Sequence, residues 1–143
     1  MSDQDMNLSS GLAAFEAKRF SEAWPLLKPA AEAGNAQAQH RLAIMCQNGL
    51  GMVRNDLMAF KWMRASADSG YALAQHGLGF MYLYGECAEK NEAEALKWFT
   101  RAAEQGLSGS MMTIGMIYEQ GLGVPADPAE ARRWYERAEK TPP

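Results

Sequence analysis

Cysteine and histidine are scarce: the chain has 143 residues, with two of each. Cys46 and Cys87 allow one disulfide at most, and their spacing matches no metal or redox pattern, so free thiols are expected. Neither His40 nor His76 belongs to a serine, cysteine and histidine set that would suggest nucleophilic catalysis. No catalytic residue, no metal site and no cofactor is expected. Charge of one sign is also lacking. Fourteen Lys and Arg lie scattered among 17 Asp and Glu, for a net charge of −3. No basic stripe is present to neutralise phosphates, and nucleic acid is not an expected partner. Nor is there an apolar run near the ~20 residues that span a bilayer, so no membrane partner is expected. The opening "MSDQDMNLSSGLAAF" lacks the basic flank and continuous apolar run of a secretory signal, which points to a cytoplasmic protein.

A folded core is nonetheless well supplied, with 48% hydrophobic and 22% charged residues. One stretch stands out. "YALAQHGLGFMYLYG", Tyr71 to Gly85, contains no charged side chain. A surface helix keeps one polar face, so a helix apolar on nearly every side needs burial or a partner.

Internal periodicity organises the chain. Gly34, Gly70 and Gly106 recur every 36 residues, as do Gly49, Gly85 and Gly121, and Trp62, Trp98 and Trp134. Ala23, Ala59, Ala95 and Ala131 extend the period towards the N-terminus. Within each unit, steps of three and four, as in Leu42, Met45, Cys46, place apolar residues on one helical face. The pattern predicts helix A over 36–48, 72–84 and 108–120, and helix B over 56–68, 92–104 and 128–139. The glycines supply left-handed residues after both helices. Asn55, Asn91 and Asp127 are expected to cap helix B, with Glu94 and Glu130 completing capping boxes and Pro128 at the first helical position.

The runs "LGFMYLYGECAEKNEAEALKWFTRAAEQG" and "IGMIYEQGLGVPADPAEARRWYERAE" resemble the Sel-one-like repeat, a relative of the tetratricopeptide repeat. The resemblance covers residues 34 to 139 and implies an all-α fold, a right-handed α-solenoid of antiparallel helix pairs, used mainly to bind or assemble other proteins. Three repeats are expected, 34–69, 70–105 and 106–139, with a tail at 140–143. Residues 1–33, "GLAAFEAKRFSEAWPLLKPAAEA" among them, depart from the pattern: the connection is shorter and Leu26 replaces the tryptophan. They are expected to form a capping helix pair, made irregular by Pro29 inside its second helix.

Similarity to tetratricopeptide arrays places one face of the A helices in a concave groove. That face carries His40, Ile44 and Gln47, then Leu73, His76, Phe80, Leu83 and Tyr84, then Met112, Met116 and Glu119. Ile44, Phe80, Leu83, Tyr84, Met112 and Met116 form the expected exposed apolar patch, rimmed by His40, His76, Gln47 and Glu119. The expected function is a non-enzymatic adaptor or scaffold that binds a protein or peptide ligand there, with Phe80 as central anchor. Two other fates remain open. The patch could mediate a homodimer, as could the last repeat, which only "KTPP" follows, or the N-terminal unit could fold over it. The recurring tryptophans read as wedges for helix B rather than a stacking platform. The glycine-rich connections "GLGMVRND", "GECAEKNE" and "GLGVPADP" follow helices and lack the Lys and Ser or Thr of a phosphate loop, so they are turns. Gly79 and Gly115, in the column of Ala43, leave room for close helix approach.

Overall fold

The computed structural model describes residues 3–142. Among the described residues the chain forms eight α-helices and no strand: α1 (Asp3–Glu16), α2 (Phe20–Glu32), α3 (Ala36–Asn48), α4 (Asp56–Asp68), α5 (Ala72–Tyr84), α6 (Glu92–Glu104), α7 (Ser108–Gln120) and α8 (Pro128–Lys140). From α3 onward each boundary matches the periodic expectation, except that α8 runs one residue further. Two compact units divide within α5, Met1–Ala74 and Gln75–Pro143. In the first, α1 packs on α2, both touch α3, and α3 packs on α4. In the second, α6 packs on α7 and α7 on α8.

Helix B begins where it does because its cap is satisfied twice. The amides of Met58, Glu94 and Glu130 donate to the side chains of Asn55, Asn91 and Asp127 at 3.0, 3.0 and 3.1 Å. The cap residues' own amides donate back to helix A, Asn55 to the Cys46 carbonyl, Asn91 to Tyr82 and Asp127 to Tyr118, at 2.9, 2.8 and 2.8 Å. The first pair repeats the bond from Arg19 to Ala14 at 2.8 Å. The expected capping boxes are therefore incomplete: with the cap amide already taken, Glu94 pairs with Lys97 and Glu130 with Arg133. Helix A ends on the left-handed glycines Gly49, Gly85 and Gly121, with φ of +64°, +68° and +71°.

The expected irregularity of α2 is not found. The helix is continuous from Phe20 to Glu32 with Pro25 and Pro29 inside it. Both prolines face solvent, so the carbonyls left without an amide donor are open to water, while Ala23, Leu27, Ala30 and Ala31 form the buried side.

Each A helix carries a small residue opposite a large one on its B helix. A methyl group built on Gly11 would stand 2.8 Å from Leu27, on Gly79 2.8 Å from Phe99, and on Gly115 2.6 Å from Tyr135. Ala43 and the flexible Met63 occupy the same two columns, both buried. The space expected beneath these glycines is thus filled by a side chain. In the second unit Leu83, Ala95, Phe99, Met111, Ile114 and Ile117 build one core, each large side chain contributing about 1.5–3 kcal/mol. Trp62 and Trp98 are buried as expected of wedges, whereas Trp134 is half-buried. Cys46 is buried, Cys87 partly so, and neither forms a disulfide. Among the described residues no helix is long and apolar enough to cross a membrane.

Candidate interaction surface

In the first unit, α3 sets His40, Ile44 and Gln47 on successive turns. His40 does not rim an open face: it is 8% exposed. Its ring lies 5.3 Å from that of Tyr71, and Arg41 Nη1 donates to His40 Nδ1 at 3.0 Å and to the Tyr71 hydroxyl at 3.3 Å. Because guanidinium only donates, the imidazole carries its proton on Nε2. Burial, and then the Arg41 charge, hold the His40 pKa down at about 4. The residue is a neutral packing element. Ile44 and Gln47 are half-buried, and Leu73, at the start of α5, is exposed.

In the second unit, α5 and α6 carry an aromatic ladder. Phe99 is fully buried, and Phe80 meets it edge-on at 4.9 Å. Tyr84 lies on the other side of Phe80, stacked at 5.8 Å with 14° between the planes. His76 sits edge-on to both phenylalanines, at 4.9 Å from Phe80 and 5.4 Å from Phe99. Its Nδ1 shares a 2.7 Å hydrogen bond with Ser110 Oγ of α7, and burial pushes its pKa below the ordinary value. The ladder ends in solvent, with Tyr84 62% exposed. Leu83 does not belong to this surface. It is 2% exposed and packs in the core with Ala95, Phe99 and Ile114, because α7 lies over that side of α5.

On α7, Met112 is exposed, Met116 is half-buried against the core, and Glu119 is exposed. Met112 and Glu119 also line a cleft between α7 and α8, which Tyr135 divides into openings of about 330 and 230 Å³. Ser108, Ala138 and Glu139 complete the first opening, and Ala131 and Arg132 belong to the second. Burial, and next the Glu119 carboxylate, push the Tyr135 phenol pKa up. The sequence reading missed Tyr135 and Ala138 because their columns look like core in the preceding repeats. Among the described residues no three or more His, Cys, Asp and Glu gather as a metal site would require.

The sequence profile of the Sel1 repeat matches residues 36–71, 72–107 and 109–140. The chain belongs to the Sel1 repeat family. A Sel1 repeat protein from Oxalobacter formigenes, solved by crystallography, is similar over 92% of this chain with 33% identity and a TM-score of 0.84. A protective antigen present in uropathogenic Escherichia coli strains, displaying an SLR fold, is similar over 96% of the chain with 33% identity and a TM-score of 0.87. The chain spans 54% of the first of these structures and 30% of the second. No curated protein matches the chain. The architecture is thus an all-α helical repeat solenoid. Sel1 repeat proteins are generally non-catalytic scaffolds for protein interactions.

Proposed function

We propose that the chain is a non-enzymatic cytoplasmic adaptor that seats a peptide or protein segment on the exposed face of its A helices, the concave side of a tetratricopeptide-like array. Residues 1–33 serve as the capping pair and the three repeats as the binding body. The observation that carries the reading is the ladder Phe99, Phe80, Tyr84, which runs from full burial to a tyrosine 62% exposed on a stretch without charge. Tyr84 is not needed to close the core, and Met112 at 57% exposure adds a second adaptable apolar group on the next A helix. Tyrosine buries a large area at low entropic cost and methionine reshapes to its partner, the properties of interface anchors. Phe80 sets the Tyr84 ring rather than meeting a ligand alone.

A photo-crosslinking amino acid placed at Tyr84 in the native cell tests the reading. A discrete partner is expected at Tyr84 and not at Leu57, an equally apolar position on α4 that is 79% exposed. The same products from both positions contradict it.

A further inference from the structure

The connection between α7 and α8 folds back on α6 and leaves an open groove beside it. Gly123 allows the approach: at φ +74°, a methyl group built on it would stand 2.6 Å from the Glu92 Cβ. Val124 follows, and with Leu96 of α6 it is half-buried against the core of the second unit, so the two give the groove an apolar floor. The groove holds about 520 Å³. Lys97 and Arg101, one turn apart on α6, stand along it, and Glu104 marks the end nearest the α6 C-terminus. None of these residues belongs to the A-helix face.

Arg101 is poised for an anion. Its guanidinium lies over the Trp98 ring, 4.4 Å from the centroid, and among the described residues no carboxylate pairs with it, not even Glu104 three residues along. Stacking occupies the face of the guanidinium and leaves the N–H groups at its edge, the fork that takes a carboxylate through two hydrogen bonds. The indole thus holds the fork in place before a ligand arrives. Lys97 pairs with Glu94 at 3.7 Å, an exposed contact weak enough to yield to a second acid. Arg137 repeats the stack on Trp134 at 5.0 Å, but its repeat carries Arg132 in the Leu96 column and so lacks that apolar floor residue.

We propose that this groove binds an acidic peptide segment of a partner protein, seating an aliphatic side chain on Leu96 and Val124 and a carboxylate on the Arg101 fork, with Lys97 facing a second acid. Charge complementarity selects the occupant, since two cations border the apolar floor in a chain whose net charge is −3. Glu104 sets its direction, because an acidic run that passes Arg101 meets a like charge there. An open groove covers one side of its ligand, which suits a length of peptide, whereas sites for small molecules enclose most of the ligand. Helix pairs added beyond α8 would pack on α7 and α8 and leave this groove as it is.

The test is a fluorescence anisotropy titration of a fluorescein-labelled peptide of alternating aspartate and leucine with the whole chain. Saturable binding is expected, weaker by about tenfold when asparagine replaces aspartate. Arg101→Gln should weaken it by about tenfold, and Arg101→Lys by about threefold, because charge without the fork remains. Arg101→Glu should reverse the preference, towards a peptide of alternating lysine and leucine. Val124→Asp, which breaks the floor, should weaken binding by about tenfold. All variants are checked for folding by circular dichroism, and the exposed Arg101 substitutions keep the test decisive if Val124→Asp misfolds. Absence of saturable binding, or equal affinity of wild type and Arg101→Gln, overturns the proposal. Displacement of the probe by free aspartate at matching concentration does so too, since the site then takes a small anion. A dimer that Arg101→Gln dissociates also overturns it, since a second copy then fills the groove. Tyr84→Glu should leave probe affinity unchanged, which separates this groove from the A-helix face.

Discussion

Gly79 on α5 lies directly beneath the Phe99 ring of α6, so that a methyl group at Gly79 would stand 2.8–2.9 Å from three ring carbons. Phe99 is wholly buried and cannot swing away. Gly79→Ala should therefore destabilise by about 1–3 kcal/mol through overpacking, despite the roughly 1 kcal/mol that alanine gains over glycine in a helix. Gly79→Ala with Phe99→Met recreates the Ala43 and Met63 pairing of the preceding repeat and should recover part of the loss. Urea unfolding of the single and double variants measures the coupling.

The doubly satisfied cap of helix B separates two residues that a capping box would make equal. Asn91→Ala should cost about 1 kcal/mol, because the Glu94 amide loses its acceptor. Glu94→Ala should stay within about 0.5 kcal/mol, because the Asn91 amide already donates to Tyr82 and the Lys97 pair is a surface one. Thermal melts of the two variants distinguish the cases.

The tryptophan column is uneven in depth. Trp98, 1% exposed, should cost about 3–5 kcal/mol on truncation to alanine, a large share of a typical total of about 5–15 kcal/mol. Trp134 is half-buried, with Arg137 5.0 Å from its ring centroid, and Trp134→Ala should cost roughly half as much. Denaturant midpoints of the two variants give the comparison directly.

Helix boundaries were legible because the residues that mark them have no substitute of equal fitness. A left-handed residue after helix A favours Gly49, Gly85 and Gly121, and a free first turn favours Asn55, Asn91 and Asp127. The faces of α5 were not legible to the same degree. A helix that is apolar on every side has no periodicity to say which residues meet core, so the sequence does not separate Leu83 from its neighbour Tyr84, though one is buried and the other open. His40 shares a column with His76, and nothing in that column specifies the Arg41 and Tyr71 contacts of His40. Tyr135 hides in the column of Met63 and Phe99, whose residues are core only where another helix covers them. The continuity of α2 depends on which side its prolines face, and two prolines four residues apart share a face without stating that it is the wet one.

Burial of neutral His40 gives stability a slope on the acid side. Its folded pKa of about 4 lies below the ordinary 6.5, so the unfolded chain takes up the proton first. Stability is complete above pH 6.5, falls as pH drops towards 4, and gains no further slope from His40 below that. The loss from this residue amounts to at most ~3 kcal/mol. Burial shifts His76 in the same direction, so His40→Gln should reduce the slope without abolishing it. Urea midpoints of wild type and variant between pH 4 and 7, compared at each pH, isolate the His40 contribution.

Tyr84, the exposed aromatic end of α5, is the proposed binding anchor, and Tyr84→Glu removes it with least risk to the fold, since that side chain is 62% exposed. Affinity capture from the native cell's lysate compares wild type, Tyr84→Glu and the control Leu57→Glu, each first shown to be helical by circular dichroism. A partner retained by wild type and Leu57→Glu but lost with Tyr84→Glu is the predicted result. A partner retained equally by all three places binding elsewhere on the chain and contradicts the account.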